Sequence, residues 1–255
     1  MAEDVQNTPG SLVQAAHVAR EAALRKAANG IQYAIFGDTG IADQDLDRMV
    51  QAVPATIAAA LTRKIYYFVP LALSESRGEP TMIATAYTPE FSDQAICHRN
   101  VPLDGLDGVF ISTRLLGDRF ALAFEFFINV GHAFVDTASV PADFDHLAWG
   151  QVLADVRGET SLDAWESRNL ALAANTGGKP VVDEKAKSSY LEASFSDAVA
   201  IYLLSLAVDF DYSELREREY PLLAPQALAE RLRLAARLFP PNPGYEFAIR
   251  YRRRA

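Results

Sequence analysis

Residues 120–135 form an apolar stretch that contains no proline and a single glycine, Gly131. Glu125, Asn129 and His132 interrupt it, so it falls short of a membrane-spanning helix, which needs about 20 predominantly apolar residues. A stretch of this length, without breakers until its end, is typical of a helix inside a folded domain. We therefore expect a long buried helix over 120–135.

The segments around this helix predict an α+β layout, with helices first, then a small sheet, then further helices. The run 65–69 is β-branched and aromatic, almost continuously apolar and bounded by Pro70, which favours a strand buried on both faces. The predicted helices are 12–28 with Ser11 as its cap, one on each side of Pro54, 144–156, 162–174, 195–208 and 225–239. The other predicted strands are 81–87, 94–98 and 109–112, with a turn at 104–108 and a polar loop at 179–188.

Composition predicts a soluble, cytoplasmic protein. Hydrophobic residues make up 50% of the chain, and 24 Lys and Arg against 33 Asp and Glu give a net charge of −9. An acidic chain is a poor partner for nucleic acid or anionic membranes, because affinity for phosphate comes from clustered Lys and Arg. The one basic cluster, 250–254, is expected to be a solvated tail. The first residues do not resemble a signal peptide, and the single cysteine, Cys97, fits a reducing compartment.

The end of the apolar stretch carries a pattern close to a zinc-binding motif. Many zinc hydrolases have His-Glu-x-x-His on one helix, where two histidines one turn apart bind the metal and the glutamate is the general base. Here the sequence from Ile128 is Ile-Asn-Val-Gly-His-Ala-Phe. His132 therefore stands at the second histidine position, Ile128 at the first and Asn129 at the glutamate position.

A second segment, 189–202, reads Ser-Tyr-Leu-Glu-Ala-Ser-Phe-Ser-Asp-Ala-Val-Ala-Ile-Tyr. It resembles the second helix of zincins of the anthrax-lethal-factor-like branch, which have a Tyr, a short spacer and Glu-x-Phe-Ala-Glu-Ala-x-Ala-x-Tyr. Phe195, Asp197 and Tyr202 match that pattern, as do two alanines between them. The order of the upstream elements is also similar, so the resemblance covers roughly residues 43–205.

This resemblance implies a zincin-like α+β fold, with a small mixed sheet packed on helices and additional N- and C-terminal helices. The implied organisation is an N-terminal helix and connector over 1–40. A zincin-like domain with a C-terminal helical extension would then occupy 41–255.

The residues that carry zincin chemistry are replaced in this chain. The family's glutamate ligand falls on Ala193, and Glu192 is one residue away, which is about 100° around a helix. Tyr190 stands nearer to this segment than the family's catalytic tyrosine does. Since a catalytic zinc uses three protein ligands and only His132 remains, zinc and other cofactors are expected to be absent. If a metal is bound, His132 with Glu192 or Asp197 would hold it.

Loss of both a ligand and the general base predicts a catalytically inactive zinc-metallopeptidase-like protein, a pseudopeptidase, with a binding or scaffold role. A protein or peptide would be its partner. One alternative is a hydrolase with a rearranged site around His132, using Glu125, Glu192 or Asp197. The other is a helical interaction protein whose motif similarity arose by chance. The oligomeric state is not predicted.

Two histidines also have simple structural interpretations. A single histidine in an apolar helix is most often a core residue that hydrogen-bonds to a neighbour, and this applies to His132. Cys97 and His98 are adjacent on a predicted strand, where neighbouring side chains point to opposite faces. This favours a buried Cys97 and an exposed His98 over a pair of metal ligands.

Overall fold

The computed structural model describes residues 11–74, 80–173, 175–176, 179–215 and 219–249, so the basic cluster at 250–254 lies outside the described residues. The chain divides into two compact units between Phe126 and Phe127, inside one long helix. The helices are α1 (Ala15–Glu21), α2 (Asp43–Gln51), α3 (Ala55–Ala58), α4 (Thr113–Leu116), α5 (Arg119–Val135), α6 (Ala142–Leu153), α7 (Leu162–Ala173), α8 (Glu184–Ala207) and α9 (Pro225–Leu238). The strands are β1 (Leu12–Gln14), β2 (Arg25–Lys26), β3 (Gln32–Ile35), β4 (Lys64–Val69), β5 (Leu71–Leu73), β6 (Met82–Ala84), β7 (Ala95–Ile96), β8 (His98–Leu103), β9 (Leu106–Ser112), β10 (Asn175–Thr176) and β11 (Lys179–Pro180).

The first unit contains two sheets. The larger one is mixed and has the strand order β2-β3-β4-β9-β8, in which β3, β4 and β9 run parallel and both edge strands run antiparallel to their neighbours. The smaller sheet is antiparallel, with the order β1-β6-β5-β7. Together with the helices, this confirms the α+β class.

Strand β4 is the centre of the larger sheet and is buried on both faces, as its sequence predicts. On one face Tyr67 stacks on Phe110 of the neighbouring strand, with ring centroids 4.6 Å apart. On the other face Tyr66 and Phe68 contact the Phe126 ring, at 5.0 and 5.7 Å. Parallel strands that are covered on both sides need this continuous apolar sequence, because neither face meets water.

In the part that the structure describes, the second unit is mainly helical and also contains the antiparallel pair of short strands β10 and β11. Its central element is α8, which packs against α6, α7 and α9. Helix α8 is apolar and long enough to cross a membrane by length and composition, but 72% of its most apolar 18-residue window is buried inside the protein. This is how the core helix of a soluble protein behaves, and it explains why α8 is apolar around most of its circumference.

Three sequence predictions are wrong at their boundaries. The helix expected over 12–28 is limited to α1, because the residues before and after it pair as β1 with β6 and as β2 with β3. Residues 179–188 are not a polar loop, since α8 starts at Glu184 and the Asp183 side chain caps it by accepting two backbone N–H groups. The turn expected over 104–108 is shorter, because β9 already begins at Leu106.

Candidate functional site

Helices α5 and α8 come into direct contact at Gly131. A Cβ atom at this position would lie 2.6 Å from the Ser196 carbonyl oxygen, which is closer than real side chains come. Glycine therefore allows the two backbones to approach. The next residues along the chain are His132 on α5 and Asp197 on α8. The charge of His132 lowers the pKa of Asp197. The structure thus brings together two residues that the resemblance singled out on separate helices.

The Asp197 carboxylate is held by hydroxyl groups from the segment before α7. Thr160 donates its Oγ1 hydrogen to Asp197 Oδ2 at 2.8 Å, and the Ser161 side chain also hydrogen-bonds to this carboxylate. Burial raises the pKa of Asp197 above its ordinary value. Two smaller effects lower this pKa. They are the hydrogen bonds from Ser161 and Thr160 and the charges of His132 and Arg231, and together they lower it by less than burial raises it. The fold therefore favours a protonated Asp197 compared with an exposed aspartate.

The three motif positions on α5 differ in exposure. Asn129 is buried, with 6% of its surface exposed, and Ile128 is half-buried. His132 is exposed to solvent, so the interpretation of His132 as a core histidine is wrong. His132 is exposed because it lies near the end of α5, on a face of the helix that is open to solvent.

The two other predicted residues of α8 have different surroundings from Asp197. Tyr190 is fully buried, and its hydroxyl donates to Glu159 Oε1 at 3.1 Å and accepts from Arg231 Nη2 at 2.9 Å. Burial raises the pKa of the Tyr190 phenol. Glu192 is exposed and accepts a long hydrogen bond of 3.4 Å from Ser188, one turn earlier. Tyr190 thus belongs to a buried polar network, and Glu192 to the solvated surface.

This buried network, which we call the Glu159 cluster, consists of Glu159, Arg231, Arg168, Tyr190 and Gln151. Glu159 and Arg231 are completely buried, and Arg168 is 5% exposed. The Glu159 carboxylate accepts from Arg231 Nη1 at 3.0 Å and from Arg168 Nη1 at 3.3 Å. Arg231 Nε donates to Gln151 Oε1 at 2.8 Å. The cluster therefore joins α6, α7, α8 and α9 through charged hydrogen bonds that are shielded from water.

The Glu159 cluster is not among the predicted sites, although α9 contains a sequence signal for it. Arg231 lies on the same helical face as Leu228, Leu232 and Ala235, all of which are buried. A charged residue within an apolar face predicts a buried partner of opposite charge, because an unpaired buried charge is very costly. The position of that partner, Glu159 in an irregular segment, could not be read from spacing.

In the first unit, the expectation of a buried Cys97 is wrong, because Cys97 is exposed, whereas His98 is half-buried, with 38% of its side chain exposed. Partial burial of the Cys97 thiol raises its pKa, and the charge of Glu125 raises it further. His98 Nδ1 lies 2.5 Å from Glu125 Oε1, with 16% of the Glu125 side chain exposed. Strand β8 begins only at His98, so the alternation of strand faces does not extend back to Cys97.

The donors around His132 do not fit a zinc ion. Ile128 and Ala193, which stand where the zincin resemblance would put the first histidine and the glutamate ligand, have no donor atom in their side chains. Throughout the part of the chain that the structure describes, no three His, Cys, Asp or Glu side chains are grouped so that they could hold a metal ion. His132 and Asp197 are the ionisable side chains that the two motif segments bring together here.

In comparisons with known proteins, no family model, no curated protein and no solved structure matches this chain.

Proposed function

We propose that this chain is a zincin-like protein of the anthrax-lethal-factor-like branch that has lost its metal site and works as a cytoplasmic pseudopeptidase. Its role is to bind a protein or peptide and not to cleave it. The proposal rests on the two motif segments of the sequence. In the structure, these segments lie on two helices that touch.

The contact between Gly131 and Ser196 is the observation that carries this proposal. The zincin arrangement requires the two motif segments to meet, whereas similarity by chance makes no such requirement. They meet at the residues next to His132 and Asp197, and the charge of His132 acts on Asp197. This favours the pseudopeptidase over an unrelated helical interaction protein.

The loss of activity follows from the side chains at the replaced positions. Ile128 offers only hydrocarbon where the first ligand would be, and Asn129 has no basic group to take a proton from water. One imidazole does not hold a catalytic zinc, which needs three protein ligands. Recognition of a partner requires none of these groups, so it can persist without them.

A hydrolase with a rearranged site is the second candidate, and one observation favours it. His132 is exposed, its charge acts on Asp197, and burial raises the pKa of that carboxyl. Acid and base groups with shifted pKa values are common in active sites. In this alternative His132 is the proton acceptor, and Asp197 is the group that orients it or supplies the proton.

Metal analysis and peptidase assays on the purified full chain distinguish these proposals. For the pseudopeptidase we expect far less than one zinc per chain after dialysis, and a melting temperature that does not change with EDTA. We also expect no cleavage of a mixed peptide library. Near-stoichiometric zinc would contradict the loss of the site. Metal-free cleavage that His132→Ala abolishes in a folded variant would establish the rearranged hydrolase, whereas cleavage that survives this change would contradict both proposals.

A further inference from the structure

The chain contains one Asn-Gly pair, Asn29-Gly30, in the turn between β2 and β3. The side-chain amide of an asparagine reacts with the backbone nitrogen of the next residue most easily when that residue is glycine, because glycine has no side chain to hinder the approach. Gly30 has a φ of +100°, and a Cβ atom on it would meet nothing within 4 Å. The sequence and the space around Gly30 therefore both permit this reaction at Asn29.

The Asn29 side chain joins this turn to the end of α2. Its Nδ2 donates to the carbonyl oxygens of Val50 and Val53, at 2.8 Å each, and its Oδ1 accepts from Ile31 N at 3.1 Å. Val50 lies in α2, and Val53 follows the helix closely. The last carbonyl groups of a helix lack their usual partners within it, and side chains can take their place. We call these three hydrogen bonds the Asn29 clip.

The same contacts oppose the reaction while the chain is folded. The attacking atom is Gly30 N after loss of its proton, and this N–H donates to Ala27 O at 2.9 Å. The atom attacked is Asn29 Cγ, whose oxygen and nitrogen are both engaged in the clip. Turning the side chain towards Gly30 N would break these bonds. The reaction therefore needs local opening, and the free energy of that opening decides its rate.

Deamidation at Asn29 needs water and no other reactant. Gly30 N loses its proton and forms a bond to Asn29 Cγ, the bond from Cγ to Nδ2 breaks, and the side-chain nitrogen leaves with a proton as ammonia. The product is a five-membered succinimide ring. Water then adds to one of the two ring carbonyl groups. Addition at Cγ gives aspartate, and addition at the backbone carbonyl gives isoaspartate, whose main chain runs through the former side chain.

Either product would break the clip. A carboxylate has no hydrogen to donate, so the carbonyl oxygens of Val50 and Val53 would lose their donor and face a negative charge. Isoaspartate also lengthens the main chain of the turn by one atom, where Ala27 N donates to Ile31 O at 2.9 Å. The turn would then no longer be joined to the end of α2.

We propose that Asn29 is a modification site at which the fold holds back deamidation, and that conversion to aspartate or isoaspartate releases the end of α2 from the turn between β2 and β3. The reactants are the chain itself and water. This inference goes beyond the pseudopeptidase proposal and does not depend on it, because Asn29 lies outside both motif segments.

The first test measures deamidation of Asn29 by peptide mapping and mass spectrometry of the full chain, incubated at mildly alkaline pH. We expect the folded natural chain to react at least tenfold more slowly than the same chain unfolded in guanidinium chloride. Val53→Ala loosens the clip and should react at least threefold faster than the natural chain. Val152→Ala is the matched control, because Val152 is also a buried valine but lies in the second unit, and it should react at the natural rate.

Equal rates in the folded and unfolded natural chain would overturn the proposal, because the clip would then hold nothing back. A Val53→Ala chain that reacts no faster than Val152→Ala would also overturn it, since contacts at the end of α2 would not control the reaction. The comparison of folded with unfolded natural chain remains decisive if circular dichroism shows that Val53→Ala does not fold.

The second test compares Asn29→Asp with Asn100→Asp, which adds the same charge at an exposed position of β8. We expect Asn29→Asp to lower the melting temperature by several degrees and to speed hydrogen exchange of the amides of 46–53 at least tenfold. Asn100→Asp should change neither. Equal behaviour of the two variants would contradict the release of α2. None of these outcomes bears on zinc content, so this proposal and the pseudopeptidase fail separately.

Discussion

At the scale of single residues, the stability of the second unit depends on charged side chains that are buried away from water. Glu159 neutralises part of the charge of two buried arginines, and its carboxylate also accepts from Tyr190. A buried pair of this kind adds little stability compared with an apolar pair, but breaking one is costly, because an uncompensated charge is left behind. Glu159 is therefore the residue whose loss the unit should tolerate least.

The first prediction concerns Glu159→Gln, which keeps the size of the side chain and removes its charge. Arg168 and Arg231 would lose their common anionic partner inside the protein. We expect the free energy of unfolding to fall by about 3–5 kcal/mol in urea denaturation. Glu166→Gln is the matched control on the exposed face of α7 and should change stability by less than about 0.5 kcal/mol. Similar stabilities for both variants would show that the buried charges are neutralised in another way.

The second prediction concerns pH and Asp197. Burial raises the folded-state pKa above the ordinary value, so the free energy of unfolding rises as pH falls through the raised pKa. The gain is complete below about pH 4, the ordinary pKa of an exposed aspartate. Asp197→Asn cannot ionise and lacks this gain. We therefore expect Asp197→Asn, measured relative to the natural chain, to be more stable at pH 7 than at pH 4 in urea denaturation.

The control for this pH series is Asp136→Asn, which changes an exposed carboxylate just after α5. Its stability relative to the natural chain should depend on pH much less than that of Asp197→Asn. The opposite trend for Asp197→Asn, with its relative stability increasing towards pH 4, would mean that attraction by His132 and Arg231 outweighs the effect of burial.

At the scale of elements, the contact between α5 and α8 depends on the missing side chain of Gly131, and the third prediction tests it. Gly131→Ala would put a Cβ atom 2.6 Å from the Ser196 carbonyl oxygen, so the helices must shift apart. Overpacking of this kind costs about 1–3 kcal/mol, although alanine is the better helix former by about 1 kcal/mol. We expect a net loss of stability in guanidinium denaturation.

Gly150 provides the matched control for Gly131. It also lies inside a helix, α6, but it is exposed, and a Cβ atom there would meet nothing within 4 Å. Gly150→Ala should therefore stabilise the protein by about 0.5–1 kcal/mol through helix propensity alone. If Gly131→Ala stabilised the protein equally, the close contact between α5 and α8 would be disproved.

At the scale of the whole molecule, the fourth prediction asks whether the chain has the framework that the zincin resemblance implies. Ile128→His, Asn129→Glu and Ala193→Glu together restore the family's ligands and base around His132. We expect the folded triple variant to bind zinc in calorimetry and to gain melting temperature when zinc is added, since a ligand that binds the native state stabilises it. Without metal it should lose about 1–3 kcal/mol, because polar groups replace apolar ones.

The control for the triple variant is the same set of changes with His132→Ala added, which should lose most of the zinc affinity. A folded triple variant that binds no zinc would contradict the alignment of Ile128 and Ala193 with ligand positions. The loss of zinc chemistry would then no longer follow from the resemblance, even if the natural chain proved to be metal-free.

Much of the secondary structure could be predicted because it depends on local pattern. The run 65–69 is a strand and all of 120–135 is helix, since period and apolarity decide these elements over a few residues. The alanine-rich N-terminal sequence predicts a helix longer than α1. Pairing of β1 with the distant strand β6, and of β2 with the neighbouring strand β3, overrides that preference. The start of α8 was missed, although Asp183 is a good cap residue.

The sequence by itself determined the α+β class, the apolar helices and the absence of a second histidine and a glutamate from the motif, because these depend on which residues follow one another. Only the tertiary structure decided that Gly131 meets Ser196, that Tyr190 and Arg231 share Glu159, and that His132 remains in solvent. These facts depend on contacts between residues that are far apart in the chain. Such contacts are selected by packing and by the cost of burying charge. A charged residue such as Arg231 within an apolar helix face indicates that a buried partner exists, but the local pattern does not identify that partner.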